Sequence, residues 1–419
     1  MQPIITDVES IFVRSPFLPS IESWTRLNNH GWEYLEVVRV RTDSPHVVGF
    51  GETLVYYTGE TVEDELAAFA VGRTPLEVLA SPGVGVSLRM ALYDVLGQSM
   101  GVPVNRLFAR PVVRDRCPIS WWNTKMPAGL LASQAADAVA AGYRSHKIKA
   151  RPWFDIHEQV DAVAAVTPED YRIDLDWNSM LVSAGRALPV LARLQQQEKI
   201  GLFESPIDRT DTAGQARLRA AISTPLVEHY DPHLVPGWLS ADTLDGFVVS
   251  GPEPATVFGQ ADAAQAFHKE VFLQLCGTGI TTAWVAHLGS VVPAARLPAV
   301  TAMNIYREDL LVDSLEIADG HVRVPDAPGL GIAVDEDLLE RLRVPRGTAP
   351  PPLRRLLTFA LGDGSARQYV SAAQLWDDST VNATMPVQGS GASLSIREDD
   401  HSLEFDAMHR NAMQHPVWL

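Results

Sequence analysis

Four short segments between residues 146 and 229 decide the predicted fold: HKIKA at 146–150, RIDLD at 172–176, GLFE at 201–204 and PLVEH at 225–229. Each has the length and the apolar content of a buried strand, and each carries a charged residue near its end. Helix-forming stretches, such as 155–166 and 188–197, separate them. This alternation predicts repeated β-α units around a parallel sheet.

The same texture continues on both sides of these segments. Further candidate strands lie at 117–122, 246–250, 271–276 and 300–303, and a further helix lies at 128–141. Eight strands with intervening helices fit a TIM-type α/β barrel. Because active sites on this fold lie at the carboxyl ends of the strands, the charged strand ends are the candidate functional residues.

The chain before the barrel has a different pattern. Short β-prone runs at 11–14 and 35–40 flank residues 15–31, which show no clear periodicity and are expected to form a long loop. From 61 to 101 the spacing of apolar residues is helical, and glycines end the helical stretch near residue 101.

After the barrel, residues 315–323 predict a hairpin, and residues 335–343 predict an acidic helix. A proline-rich linker at 348–352 follows. The segment 353–419 carries no readable motif, and it is expected to be either a small appended domain or an arm that packs on a neighbouring subunit.

Composition narrows the function classes. The 419 residues carry 34 Lys+Arg and 51 Asp+Glu, a formal charge of −17, which argues against nucleic acid or an anionic membrane as the main partner. The two cysteines exclude a disulfide framework or a cysteine zinc site. No apolar run has the length of a membrane helix, and the first residues do not resemble a signal peptide. A cytoplasmic protein is expected.

Three predicted strands in succession end in a carboxylate: Asp176, Glu204 and Glu228. Neighbouring barrel strands would present these groups side by side at one rim. Clustered anions repel one another unless a cation lies between them, and Mg²⁺ with oxygen ligands fits best. We therefore expect these three residues to be metal ligands.

The preceding strand places Lys147 and Lys149 on one face, two residues apart. Each ammonium group lowers the proton affinity of the other, so one lysine can act as a general base. A single strand-end acid or a single Lys-x-Lys is usually structural. The order Lys-x-Lys, Asp, Glu, Glu on four consecutive strands is much harder to obtain by chance.

These residues, with Asp176-Trp177-Asn178, Glu204-Ser205-Pro206 and Glu228-His229, resemble the enolase superfamily in its mandelate racemase/muconate lactonizing branch. The stretches at 91–104 and 319–331 strengthen the resemblance, which covers roughly residues 3–345. It implies an α+β capping domain (1–114 and 313–346) over a modified (β/α)₇β barrel (115–312), with 353–419 as a C-terminal extension. It also makes a homo-oligomer the expected state.

The resemblance assigns Asp176, Glu204 and Glu228 to Mg²⁺ and makes Lys147 and Lys149 the catalytic pair. Lys149 is then the base, and Lys147 contacts the substrate carboxylate or adjusts the pKa of Lys149. It implies abstraction of the proton α to a carboxylate, giving an enediolate. The pair Glu228-His229 looks most like the acid-sugar dehydratases, which act on small hydroxylated carboxylates.

Substrate contacts are expected from both sides of the site. Trp24 and Tyr56 lie in the segments 15–31 and 53–60, which the resemblance implies close over the barrel. Arg151 follows the second strand, His229 ends the fifth, and Glu308 follows the eighth. For each of these residues, ordinary packing or a surface role is a competing interpretation.

The sequence departs from the family on the far side of the site. Neither the sixth strand (246–251) nor the seventh (272–277) carries the usual acid/base residue, and His287 falls in a predicted helix. One-face chemistry through the lysines is therefore favoured over a two-base racemase. An epimerase or cycloisomerase, and a non-catalytic homologue that only binds a carboxylate, remain alternatives.

Overall fold

The computed structural model describes residues 3–251, 253–382, 384 and 391–419. Its first part combines a three-stranded antiparallel sheet in the order β1-β2-β3 with five helices. The elements are β1 (Ile5–Arg14), α1 (Glu22–Asn29), β2 (Tyr34–Thr42), β3 (Val48–Leu54), α2 (Val55–Thr58), α3 (Asp64–Ala70), α4 (Pro75–Leu79) and α5 (Val86–Met100).

Helix α5 packs directly on this sheet because two residues of β3 have no side chain. A Cβ atom added to Gly49 or Gly51 would overlap the backbone carbonyls of Ala91 and Ser87 on the helix. The sheet and helix bury an apolar layer between them, which includes Val38 and Leu88. Close approach therefore depends on glycine at both positions.

The central part alternates strands and helices. Its elements are β4 (Arg116–Pro118), β5 (Trp121–Asn123), α6 (Ala128–Ala140), β6 (Ser145–Lys149), α7 (Ile156–Val166), β7 (Arg172–Asp176), α8 (Ala184–Leu194), β8 (Ile200–Glu204), α9 (Thr212–Ala221), β9 (Leu226–His229), α10 (Val235–Ser240), β10 (Gly246–Val249), α11 (Pro254–Ala266), β11 (Glu270–Leu273) and α12 (Gly279–Ser290). Strands β5 to β11 form one parallel sheet in chain order.

Residues 299–301 close this sheet into a barrel. Val300 bridges Gln274 beyond β11, while Ala299 bridges Ile119 between β4 and β5, and both bridges are parallel. The predicted α/β barrel with eight strand positions is therefore confirmed. The eighth position, expected as a strand at 300–303, is shorter, because Ala302 adopts a left-handed backbone (φ 56°) and a 3₁₀ turn, Met303–Ile305, follows it.

The chain then returns to the first part. A predicted hairpin is present as β12 (Ile317–Ala318) and β13 (His321–Arg323), and the acidic helix is α13 (Glu336–Leu342). Strand β13 also pairs with β4. A buried carboxylate ties the first part to the barrel: Glu52 on β3 accepts hydrogen bonds from the backbone N–H groups of Thr278 and Thr281, at the start of α12.

The last segment folds as a unit of its own on this chain. Its elements are β14 (Arg355–Ala360), β15 (Ala366–Tyr369), α14 (Ala372–Thr380), β16 (Ser393–Glu398), α15 (Leu403–Gln414) and β17 (Val417–Trp418). The strands form an antiparallel sheet in the order β16-β14-β15-β17. We call residues 353–419 the C-terminal unit. Its apolar side chains pack with Leu27 of α1 and with Trp153 and Phe154 in the loop after β6.

One sequence expectation needs correction. Residues 15–31, expected as a loop, contain α1 and the start of a 3₁₀ helix, His30–Glu33. The helix is short, and it buries Leu27 against the C-terminal unit. Because that contact is distant in sequence, the local spacing of apolar residues does not reveal the helix. Nowhere in the described part of the chain is a helix both long and apolar enough to cross a membrane.

Candidate functional site

The strand register brings the charged tips to one rim of the barrel. Lys149 on β6 lies opposite Asp176 on β7, and Asp176 lies opposite Glu204 on β8. On β9 the partner of Glu204 is Val227, so Glu228 lies one residue further along its strand. Parallel pairing therefore sets Lys149, Asp176 and Glu204 at one level of the sheet.

Lys147 occupies the centre of this group. Its side chain is 2% exposed, and its Nζ lies 2.5 Å from Glu204 Oε2 and 3.5 Å from Asp176 Oδ2. It also donates to Gln274 Oε1, 2.9 Å away across the barrel. Burial acts to lower the pKa of Lys147, but the two carboxylates outweigh it and raise that pKa. The expectation from the sequence, that the pKa of each lysine is lowered, is therefore wrong for Lys147.

Lys149 is the more accessible lysine, with 19% of its side chain exposed, and its Nζ contacts Asp176 Oδ2. Asp176 is fully buried. Burial alone would raise its pKa, but the charges of Lys149 and Lys147 hold the pKa of Asp176 well below its usual range. Asp176 is thus an ionised carboxylate in a cationic setting.

Glu204 and Glu228 are held by different partners. The Oε1 atom of Glu204 lies 3.2 Å from His229 Nε2. Glu228 Oε1 accepts from the Ser205 hydroxyl at 2.7 Å and from the His229 backbone N–H at 2.8 Å, with Arg209 Nη2 at 3.7 Å. Burial raises the pKa of Glu228, against the effect of these hydrogen bonds.

The backbone is strained immediately after two of these strand ends. Asn178 and Ser205 adopt left-handed conformations, with φ of 44° and 46°. In that arrangement the Asn178 backbone N–H donates to Asp176 Oδ1, and the Ser205 side chain reaches Glu228. Strained non-glycine residues concentrate at functional sites, and here each one orients a carboxylate.

The carboxylates fit a hard divalent cation by their chemistry. The Oε2 atom of Glu228 is buried without a hydrogen-bond partner among the described residues, and both oxygens of Glu204 are buried, where they face Lys147 and His229. Such oxygens are the ligands that Mg²⁺ prefers. As the side chains stand, however, no three His, Cys, Asp or Glu residues of the described chain converge in metal-site geometry. Asp176 and Glu204 both form ion pairs with Lys147, whereas Glu228 accepts a hydrogen bond from Ser205.

A cavity of about 390 Å³ opens in front of these tips. Of the predicted site residues, Lys149 and Arg151 line it. The lining residues come from the barrel rim, from α1 and α2 with the turns beside them, and from the C-terminal unit. They are Asn28, Asn29, Trp32, Tyr57, Trp122, Thr124, Lys125, Lys149, Arg151, Asn178, Gln274, Cys276, Val300 and Trp376.

The other predicted substrate contacts lie outside this lining. Trp24 packs edge-on against Phe154, with ring centroids 5.8 Å apart. The Tyr56 hydroxyl donates to a backbone carbonyl, and 46% of the residue is exposed. His229 lies against Glu204, and Glu308 is exposed. These roles remain sequence predictions.

Several lining residues escaped the sequence analysis. Gln274 and Cys276 lie at the end of the seventh strand position, which the sequence analysis describes only as lacking the usual acid/base residue. Gln274 Nε2 lies 3.4 Å from the Tyr57 hydroxyl, so Tyr57 rather than Tyr56 reaches the cavity. Lys125 follows the first barrel strand, and this position after a strand end could have identified it as a candidate site residue. Nothing local in the sequence signalled Trp376.

Comparisons with known proteins agree with this architecture. Residues 130–338 match the family described as "Enolase C-terminal domain-like". The chain is 26% identical over 384 residues to the D-galactonate dehydratase of Xanthomonas oryzae pv. oryzae, covering 81% of this chain and 96% of the relative. It is 30% identical over 212 residues to the N-succinylamino acid racemase of an Amycolatopsis species, covering 48% and 55%.

A solved structure shows the same fold. The enolase from Thermobispora bispora, complexed with magnesium and formate, superposes with a TM-score of 0.65 at 21% identity, covering 81% of this chain and 92% of that chain. The α/β barrel described above agrees with these similarities. The chain therefore belongs to the enolase superfamily, in its mandelate racemase/muconate lactonizing enzyme branch.

Proposed function

We propose that the protein is a Mg²⁺-dependent lyase that removes the proton α to the carboxylate of a sugar acid and expels a β-hydroxyl group. The observation that carries the proposal is the position of Lys149, which contacts the buried Asp176 and also lines the cavity. The proposed base thus contacts a proposed metal ligand and also lines the space that a substrate would occupy.

Asp176, Glu204 and Glu228 would hold the metal ion through their buried carboxylates, and Glu228 Oε2 has no hydrogen-bond partner in the described part of the chain. When bound, the ion supplies positive charge that stabilises the enediolate and so lowers the free-energy barrier to loss of the α-proton. Lys147 adds a second positive charge, since its Nζ lies beside Glu204 and Asp176 at the centre of the site.

Lys149 takes the α-proton with its neutral amine, and the electron pair of the C–H bond passes into the enediolate. The β-hydroxyl then leaves from the same face and receives that proton from the Lys149 ammonium group, so water is released. The resulting enol tautomerises to a 2-keto acid. One base is sufficient for this sequence, and no acid/base residue is needed on the far side.

The far side supports this choice of reaction. Gln274 and Cys276 stand there with Tyr57, and burial raises the pKa of the Cys276 thiol to about 11. An amide and a protonated thiol are poor bases, so removal of a proton from that face is disfavoured. The similarity to D-galactonate dehydratase points to the same reaction class.

Epimerisation through the same enediolate is the second candidate, because a racemase is also among the relatives. A panel of aldonic and aldaric acids, incubated with the protein and Mg²⁺ in D₂O, separates the two. A dehydratase produces a 2-keto acid, whereas an epimerase gives α-deuterium incorporation without loss of water. Binding of a carboxylate with neither outcome contradicts the proposal and leaves a non-catalytic homologue.

A further inference from the structure

The charged residues of the cavity wall all have the same sign. Among the described residues that line the cavity, Lys125, Lys149 and Arg151 are charged, and no Asp or Glu belongs to the lining. The chain as a whole carries a formal charge of −17, so the positive charge of this wall is opposite in sign to that of the whole chain. Lys149 is neutralised by Asp176, whereas the other two cations have no such ion pair among the described residues.

Lys125 is an isolated buried cation. The residue is 4% exposed, and it forms no hydrogen bond or ion pair with any described residue. Its Nζ lies 5.7 Å from the ring centroid of Trp153. Burial, with the nearby charges of Arg151 and Lys149, lowers the pKa of Lys125 well below its usual value. A buried ammonium without a partner is unfavourable unless an anion joins it.

Arg151 is fixed in place, but not by a carboxylate. Its Nη1 donates to the carbonyls of Ala150 and Asp176, at 2.6 and 3.2 Å, and its Nη2 donates to Asn178 Oδ1 at 2.5 Å. Its Nε atom is buried without a partner among the described residues. The residue is 4% exposed, and its charge helps to lower the pKa of Asp176. Neutral acceptors therefore orient this guanidinium, which forms no direct ion pair with a described carboxylate and interacts with the charge of Asp176 at longer range.

We propose that Lys125 and Arg151 form a subsite for a second anionic group of the substrate, remote from the carboxylate that undergoes the chemistry. This inference rests on the proposed function, which assigns the first carboxylate to the metal and the lysine pair. The substrate class is then a sugar acid with a negative charge at both ends. Either a second carboxylate or a phosphate ester supplies that charge.

Two unpaired buried cations give discrimination as well as affinity. A ligand with a neutral far end leaves both cations desolvated and unpaired, whereas a dianion pairs with them. Trp376 and Trp153 lie against the two cations and limit their access to water. These two buried cations should therefore weaken binding of a monoanion more than a solvent-exposed lysine would.

The test compares three ligands that share the stereochemistry of carbons 2 to 5: D-gluconate, D-glucarate and 6-phospho-D-gluconate. Their affinities are measured by calorimetry in the presence of Mg²⁺, for the wild-type protein and for Lys125→Met. Lys269→Met is the matched control, since Lys269 lies away from the cavity and pairs with Asp242. The galactonate and galactarate pair repeats the comparison with another stereochemistry.

We expect the wild-type protein to bind a dianion at least about tenfold more tightly than the matching monoanion. Lys125→Met should reduce that preference to about threefold or less, because it weakens dianion binding, and Lys269→Met should keep it. The preferred dianion, glucarate or phosphogluconate, identifies the second group. Without ligand, Lys125→Met should have an equal or higher melting temperature, because it removes a buried unpaired charge.

Equal affinity for the mono- and dianions, absence of binding by both, or an unchanged preference in Lys125→Met overturns the subsite. α-Deuterium exchange separates this failure from a failure of the proposed function. Exchange without a dianion preference rejects the subsite alone. A dianion preference that depends on Lys125, without exchange or 2-keto acid from any substrate, rejects the proposed reaction alone.

Discussion

The guanidinium of Arg151 lies under the ring of Trp376, with its central carbon 5.4 Å from the ring centroid. Arg151 follows the Lys-x-Lys strand of the barrel, whereas Trp376 belongs to α14 in the C-terminal unit. The same Trp376 packs edge-on against Trp153, at 6.3 Å. The C-terminal unit therefore supplies one wall of the candidate site.

Other contacts hold this unit against the barrel and the first part of the chain. The Trp153 indole N–H donates to the Ser379 hydroxyl at 3.1 Å, and Arg355 donates to the Ser23 carbonyl at 2.8 Å. Helix α1, which contains the cavity residues Asn28 and Asn29, is thereby packed on the unit.

Trp376→Ala should therefore weaken substrate binding more than it slows turnover. The ring contributes a cation–π contact and closes the cavity, which together are worth about 1–2 kcal/mol, or a roughly 5- to 30-fold rise in KM. Steady-state kinetics checks the change. Trp418→Ala is the control, since Trp418 belongs to the same unit and lies over Arg367, away from the cavity. Equal effects of the two substitutions contradict a specific role for Trp376.

Glu204→Gln should weaken Mg²⁺ binding by at least about tenfold, because it removes a charged ligand from a buried oxygen set. Glu228→Gln should act in the same direction. Calorimetric titration with Mg²⁺ measures both variants against Glu63→Gln, which alters an exposed residue at the start of α3. Unchanged Mg²⁺ affinity in Glu204→Gln is incompatible with its assignment as a ligand.

Glu52→Ala should destabilise the protein by about 3 kcal/mol, since it leaves buried donors without an acceptor. Glu52 accepts from the Thr278 N–H at 2.6 Å, the Thr278 hydroxyl at 2.7 Å and the Thr281 N–H at 2.8 Å. Urea unfolding measures the loss, with Glu65→Ala on α3 as the comparison. A loss no larger than that of Glu65→Ala would show that the tie between β3 and α12 is weak.

His287 should make stability fall as the pH is lowered. It is fully buried on α12, and its Nε2 lies 3.1 Å from the Leu330 carbonyl. Burial lowers its pKa to about 4, from 6.5. The unfolded chain thus takes up a proton before the folded one, and stability falls as the pH drops from about 6.5 towards 4.

Between pH 7 and pH 5 this histidine should account for about 2 kcal/mol of lost stability. Urea unfolding at both pH values compares the wild-type protein with His287→Gln, whose side chain does not titrate. The variant should lose less stability between the two pH values. An identical loss in both proteins would refute the contribution of His287.

The sequence predicted those parts of the site that follow from strand periodicity. Lys149, Asp176 and Glu204 share a level because parallel pairing places the ends of neighbouring strands together. The orientation of Glu228 was not predictable in this way, since it depends on the left-handed backbone of Ser205 and the hydrogen bond that its side chain donates.

Other features depend on contacts between distant parts of the chain. Residues 22–29, inside the predicted loop, form a helix that buries Leu27 against the C-terminal unit, and no local pattern encodes that contact. Trp376 reaches Arg151 for the same reason. Lys125 was predictable from its position after a strand, but its lack of a partner depends on the packing around it.

The exchange of the substrate α-proton with solvent tests the central claim most directly. It is followed by NMR in D₂O with Mg²⁺, over the panel of aldonic and aldaric acids, for the wild-type protein, Lys149→Met and the control Lys269→Met. We predict deuterium at the α-carbon, or in the 2-keto acid derived from it, with the wild-type protein and the control. Lys149→Met should reduce the rate by at least about 100-fold. Exchange that persists in Lys149→Met, or its absence from the wild-type protein with every acid, would contradict the account.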